Sequence, residues 1–335
     1  MKIIVPMAGR GTRMRPHTLT IPKPLVPIAG KAIVHRLMED IVALCNEPVE
    51  EIAFIIGDFG AEVEKKLIQI AESLGAKGTI YYQDKPLGTA HALLCAKPSL
   101  EGELVIAFAD TLFKADFTLD KSKDGTIWVQ KVDNPSSFGV VEFDKDGYIT
   151  NFVEKPTEFV SDLAIIGIYY VKDGGFLRDE MQYLLDNNIK DKGEFQLTNA
   201  LENMKRKGTK FVPEQISEWL DCGNKDSTVL TNQRYLEYLK DRKERLVSTT
   251  AKVINSVIIE PVYIADNVEI SNSVVGPHVS VGANTKIKNT VISNSIIQES
   301  AHIENANISN SMIGSHAKYH GAQADLSIGD YNVIK

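Results

Sequence analysis

The stretch Ile3–Ile33, IIVPMAGRGTRMRPHTLTIPKPLVPIAGKAI, decides the reading of this chain. Its apolar opening, Ile3 to Val5, has the composition of a short buried strand. The run stops at Gly9-Arg10-Gly11-Thr12-Arg13, a small-residue turn with two cations. Pro22-Lys23-Pro24 then holds a third cation in a stiff extended setting. A strand that feeds a glycine turn exposes backbone N–H groups able to wrap phosphate oxygens, with Arg13 and Lys23 as counter-charges. The expected ligand is a polyphosphate. The turn is not a Walker loop, because GxxxxGK(S/T) is absent. It is not a dinucleotide fingerprint either, because Met14 stands where the third glycine belongs.

Outward from this turn, residues 1 to about 110 alternate strand and helix signals. Ile52 to Ile56, Thr79 to Tyr82 and Leu104 to Phe108 read as further strands. Ile33 to Leu44 and Ala61 to Leu74 carry apolar residues at helical spacing, and Gly88 to Ala96 reads as a helix opened by glycine. The alternation predicts an α/β fold with a doubly wound, mostly parallel sheet. Ligands in such sheets bind beyond the carboxyl ends of the strands. The glycine turn, Gln83 and Asp110 each follow a strand, so they are expected at one edge.

From about 125 to 220 the pattern mixes strands with two helices, with a turn at Asp146-Gly147. Asp226 to Leu246 is helical and rich in Lys, Arg and Glu, which reads as a solvated connector. The remainder repeats. Asn255-Ser-Val-Ile, Asn272-Ser-Val-Val and Asn289-Thr-Val-Ile recur at a 17-residue step, and Ile258, Ile264 and Ile270 recur within a coil. That pattern predicts a three-sided parallel β-helix, whose coils bury their aliphatic side chains only by stacking. The expected organisation is an α/β domain over 1–225, a linker helix over 226–250 and a β-helix over 251–335.

A net charge of −7 argues against general nucleic-acid binding, which needs a basic face. No apolar run reaches the ~20 residues that span a bilayer, and no signal-peptide pattern opens the chain. Three scattered cysteines form no zinc spacing and suit a reducing compartment. The expectation is a cytoplasmic protein with no nucleic-acid or membrane partner.

The segment AGRGTRMRPHTLTIPKPLVPIAGK resembles the signature of the sugar-1-phosphate nucleotidyltransferases, GGxGTRxxPxT…PKPLxPxxGKP. Ala8 replaces the first glycine and Ala32 the final proline, and neither change removes a charge. The resemblance covers essentially the whole chain. Its repeat segment is similar to the left-handed β-helix that many members carry. It implies synthesis of a nucleotide-sugar from a nucleoside triphosphate and a sugar 1-phosphate, with release of pyrophosphate.

The resemblance also implies site roles. Arg13 would face the leaving pyrophosphate and Lys23 the phosphates at the reacting centre. Ala8, Gly9, Gly11 and Thr12 would form the nucleotide turn. Gln83, Gly88 and Thr89, within QDKPLGTA, resemble the base-reading segment. A glutamine amide pairs with the O4/N3–H edge of thymine or uracil, so dTTP or UTP is expected. Asp110 and Asp221, the latter in WLDCG, would hold Mg²⁺ through carboxylate oxygens. Gly139, Glu154 and Lys155, in FGVV and FVEKP, resemble the sugar-phosphate site. Glucose 1-phosphate with dTTP is the first expectation, and a uridylyltransferase acting on glucose or N-acetylglucosamine 1-phosphate is the alternative. A reading of another class is a non-catalytic nucleotide-sensing subunit, but such partners tend to lose the charged positions kept here. His278, His302, His316 and His320 would allow an acyltransferase. The short solenoid without an inserted loop favours homo-oligomer assembly instead.

Overall fold

The computed structural model describes residues 1–9 and 11–322. Arg10 of the glycine turn and residues 323–335 of the repeat segment lie outside the described residues. The chain divides into two compact units, one of Met1–Val26 with Ala32–Gly223, the other of Pro27–Lys31 with the chain from Asn224 onward.

The first unit is built on a nine-stranded sheet. Its centre is parallel, with Lys2–Pro6 between Glu51–Ile56 and Leu104–Ala107 and with Lys77–Tyr82 outside Glu51–Ile56. Ile3, Ile4 and Val5 are wholly buried, as are Ile52 to Ile56 and Leu104 to Ala107. Strands covered on both faces read as unbroken apolar runs, and this explains why these three were visible in the sequence. Helices α1 (Ile33–Cys45), α2 (Ala61–Ser73) and α3 (Thr89–Leu94) follow successive parts of this parallel core. The helix expected over 88–96 is shorter because a 3₁₀ turn at Lys97–Ser99 follows it.

The parallel core continues into an antiparallel extension through the long strand Leu163–Val171, which pairs with Leu104–Ala107, Gly125–Lys131 and Gly139–Phe143. The sheet is therefore doubly wound in its parallel part and mixed overall. The register shifts between Ile165 and Tyr169, where Gly167 has φ +84°. Such a bulge bends a strand and re-aims its side chains. Gly139–Phe143 and Ile149–Glu154 form an antiparallel hairpin whose turn at Asp144 to Gly147 is the one expected from the sequence. A separate antiparallel pair joins Thr111–Lys114 to Glu218–Asp221.

The second unit is a parallel β-helix of three strand columns. The first stacks Lys252–Ile254, Glu269–Ser271, Lys286–Lys288, His302–Glu304 and Lys318–His320. Val275, Ile292, Ile264, Val281, Ile270 and Ile287 point into its buried interior. The step is 17 residues as far as Ile287 and Ile292 but 16 beyond, where Ile287 pairs with Ile303 and Ile292 with Ile308. Asn255, Asn272, Asn289 and Asn305 take positive φ at one corner. Asparagine tolerates that conformation, and side-chain amides link these four in a ladder at 2.8, 3.3 and 3.0 Å.

One expectation is corrected. The charged helix does not behave as a fully solvated connector. Helix α4 (Lys225–Asp241) buries Val229, Asn232, Tyr235, Leu236 and Leu239 and packs along the β-helix. Asn232 Oδ1 accepts from Ala29 N–H at 2.9 Å and from Ser280 Oγ at 2.7 Å. His278 Nε2 lies 2.5 Å from Glu237 Oε1. The charge run hid an apolar stripe that this packing needs.

Ile287 sits between Ile270 and Ile303 with 1% exposure. Ile287→Ala removes a buried side chain that its neighbours cannot replace and should destabilise the unit by about 3 kcal/mol. Urea melts followed by β-sheet circular dichroism should show a lower midpoint at unchanged slope. The exposed neighbour Lys288→Ala should stay within ~0.5 kcal/mol. Equal losses in both variants would contradict stacking as the source of stability.

Candidate active site

Lys23 is the pivot of the first unit's concave face. It begins a 3₁₀ turn, Lys23–Leu25, held between Pro22 and Pro24. Only 7% of Lys23 is exposed, and its Nζ donates to Asp110 Oδ2 at 3.2 Å. A lysine this buried requires a partner. Asp110 follows the Leu104–Ala107 strand, and its side chain remains half exposed.

The glycine turn packs directly against this lysine. Gly11 has φ +58°, and a Cβ there would lie 2.7 Å from Lys23 Cβ. Both the backbone conformation and the close approach demand glycine. Thr18 Oγ1 donates to Gly11 O at 2.8 Å and closes the loop. Arg13, in the 3₁₀ turn Thr12–Met14, is exposed and has no acidic partner among the described residues.

Two adjoining cavities open here. The first, of about 420 Å³, is lined by Ala8, Gly9, Gly11, Thr12 and Lys23 on one side and by Gln83, Gly88 and Glu194 on the other. The second, of about 500 Å³, is lined by Gly139, Glu154, Lys155, Tyr169, Trp219 and Asp221. Arg13, Thr89, Phe108 and Asp110 line both. Every residue expected from the sequence to act in the site therefore borders one cavity or the other.

Asp110 and Asp221 are brought together by strand pairing. Asp221 stands opposite Thr111 in the antiparallel register, and Cys222 N–H donates to Asp110 O at 3.3 Å. Asp221 is exposed, and its Oδ1 accepts Gly223 N–H at 2.9 Å. Among the described residues no cluster of three or more His, Cys, Asp or Glu side chains suits a metal. Two carboxylates with phosphate oxygens and waters is the donor set Mg²⁺ takes at nucleotide sites, so the pair fits that ion.

Gln83 follows the Lys77–Tyr82 strand, and its N–H donates to Ile56 O at 2.8 Å. Gly88 has φ +119°, and a Cβ there would lie 2.4 Å from Phe195 O and 2.6 Å from Phe195 N. Phe195 in turn bonds Leu87 O and Ala90 N–H. Thr89 lines both cavities, yet its hydroxyl is used inside the protein. It donates to Gln196 Oε1 at 3.1 Å and accepts Leu197 N–H at 2.8 Å.

In the second cavity, Thr198 Oγ1 donates to Glu154 Oε2 at 3.4 Å. Lys155 takes φ +43° and keeps its side chain half exposed, 3.7 Å from Glu154 Oε1. Lys192 Nζ caps the Glu154 and Lys155 carbonyls, which fixes that bend. Burial, then the Glu154 charge, pushes the Tyr169 phenol well above its ordinary range, so it stays protonated. Trp219 Nε1 donates to Thr111 Oγ1 at 3.1 Å, and its ring meets Phe138 edge-on at 4.9 Å. Sequence reading did not single out Tyr169, Lys192 or His91 (below Gln83). No motif marks Tyr169 or Lys192, whose places depend on pairing far along the chain, and His91 lies just past the base-reading segment, on the helix that follows it.

Comparison with known proteins agrees with this geometry. Residues 2–238 match the nucleotidyl transferase family model. The chain is 31% identical to a glucose-1-phosphate thymidylyltransferase of Streptomyces antibioticus over 95% of its own length and 93% of the relative's. It is also 31% identical to the bifunctional protein GlmU of Methanococcus maripaludis over 78% of its length, and it spans about 60% of that protein. A crystal structure of UDP-glucose pyrophosphorylase with UDP-glucose superposes with TM-score 0.57 at 23% identity, covering 71% of this chain and 98% of the other, which speaks to the fold alone. A concave face at the carboxyl ends of a parallel sheet, a glycine turn locked against a buried lysine, and a family model spanning most of the sequence converge: the chain belongs to the nucleotidyl transferase family.

Proposed function

We propose that this protein joins dTTP or UTP to a sugar 1-phosphate, with glucose 1-phosphate and dTTP the preferred pair, to give a nucleotide-sugar and pyrophosphate. One observation carries the reading: two cavities of substrate size meet at Arg13 and Asp110, beside the Lys23–Asp110 ion pair. The triphosphate fits the first cavity, its base toward Gln83 and Gly88. The sugar 1-phosphate fits the second, its hydroxyls toward Glu154 and its phosphate toward Lys155. The family is sustained by the comparisons, and thymidylyl transfer is the activity in the printed name of a relative matched along nearly the full chain.

The chemistry follows from the charges. A phosphate oxygen of the sugar phosphate attacks the α-phosphorus in line. The new P–O bond forms as the bond to the β-phosphate oxygen breaks, and its electron pair leaves with pyrophosphate. No base is needed, because the nucleophile is already an anion. Lys23, Arg13 and Lys155 lower the repulsion between the two anionic substrates and neutralise charge as it builds. Holding both substrates at once converts a bimolecular encounter into an oriented one. Asp110 and Asp221 would hold Mg²⁺, which when bound supplies polarisation of the α-phosphate and orientation of its oxygens. The β-helix is assigned to assembly of copies of this chain. No helix among the described residues is long and apolar enough to cross a membrane.

Pyrophosphate release assayed across nucleotides with several sugar 1-phosphates should be fastest with dTTP or UTP. Release with no pair would remove the enzymatic reading. Lys23→Ala and Asp110→Asn should each lower kcat at least about 10²-fold, measured well below the thermal midpoint because each variant breaks the buried ion pair and lowers that midpoint; near-normal rates in either would refute the role given to it. Gly88→Ala forces a Cβ into the Phe195 backbone and a strained φ, so the nucleotide KM should rise about tenfold or more. An unchanged KM would place the base elsewhere.

A further inference from the structure

Gln83 lines the first cavity, and among the described residues its side chain is held by a hydrogen bond to one neighbour. Its Nε2 lies 3.3 Å from Nδ1 of His91 on α3. In this orientation the amide nitrogen donates, Nδ1 accepts and the ring proton sits on Nε2. That bond needs a neutral imidazole. Burial lowers the His91 pKa and keeps the ring neutral near pH 7.

With the ring proton on Nε2, the bond sets the direction of the amide. Turning the carboxamide by 180° would set its oxygen against the imidazole lone pair, two acceptors in contact with a hydrogen bond lost. With one N–H committed to His91, Gln83 offers the cavity its oxygen and its other N–H in a fixed order. For one seating of the base, the two orders read different pyrimidines. Uracil and thymine present the N3–H donor beside the O4 acceptor. Cytosine presents the N3 acceptor beside the N4–H donor. Reversing the amide would exchange a reader of uracil and thymine for a reader of cytosine.

We propose that His91 is a positioning residue for base selection: by accepting from Gln83 Nε2 it holds the amide in the order that takes uracil or thymine and rejects cytosine. The inference rests on the base-reading role given to Gln83 above.

The test compares kcat/KM for dTTP, UTP and CTP in wild type, His91→Phe, His91→Gln and Gln83→Ala, at saturating glucose 1-phosphate. His91→Phe keeps an aromatic ring and removes the acceptor. It should raise CTP relative to the preferred nucleotide at least tenfold, chiefly through the nucleotide KM, with the sugar-phosphate KM unmoved. His91→Gln supplies an acceptor oxygen and should restore most of the preference. If His91→Phe lowers all three nucleotides alike and leaves their ratio intact, His91 only packs, and the proposal is overturned while the role of Gln83 stands. If Gln83→Ala also keeps the wild-type ratio, the base-reading role itself fails and the proposal with it. Independently of any variant, the ¹⁵N shifts of His91 in the wild-type protein should report the Nε2–H tautomer. An Nδ1–H ring would overturn the assignment.

Discussion

The ion pair between Lys23 and Asp110 is the constraint on which the rest of the first unit depends. A primary ammonium that is nearly buried is stable only beside an anion, and the anion comes from a strand end 87 positions along the chain. Bringing them within 3.2 Å requires Lys2–Pro6 and Leu104–Ala107 to be parallel neighbours, so that the chain emerging from each strand meets at one edge. The same contact explains Gly11, since any side chain there would strike Lys23. The pair also lies where the two cavities join. A single charge contact therefore ties sheet order, turn conformation and the place where two substrates would meet.

The remaining groups are arranged around that contact with different degrees of rigidity. Gln83 is set by its backbone bond to Ile56, and Gly88 by its close approach to the Phe195 backbone, which its neighbours Leu87 and Ala90 bond. Glu154 and Lys155 come from a hairpin of the antiparallel extension and are tied by Thr198 and Lys192. Asp221 arrives last in sequence and is registered against Thr111 by strand pairing. The bulge near Gly167 turns Ile165, Ile166 and Tyr169 toward the second cavity. On the proposed reading, the mixed part of the sheet would select the sugar and the parallel part would handle the triphosphate.

Much of this was legible in the sequence, for physical reasons. Strands buried on both faces leave continuous apolar runs, a positive-φ turn leaves glycine, and a stacked solenoid leaves a fixed step. What stayed hidden depends on distant pairing. The 16-residue coils beyond Ile287 were masked because small polar corner residues absorb one deletion without moving the inward isoleucines. The buried stripe of α4 was masked by surrounding Lys, Arg and Glu. His91 could not be found, since its meaning lies in a bond to Gln83 that only the fold creates.

The central claim is that both substrates occupy their cavities together and react by one direct displacement at the α-phosphorus. The stereochemical course tests it most directly. With a nucleoside triphosphate made chiral by sulfur at the α-phosphorus, and the sugar 1-phosphate as acceptor, ³¹P NMR of the product reports configuration. A single in-line attack predicts inversion. Net retention would mean two displacements through a nucleotidyl-enzyme intermediate and would contradict the account.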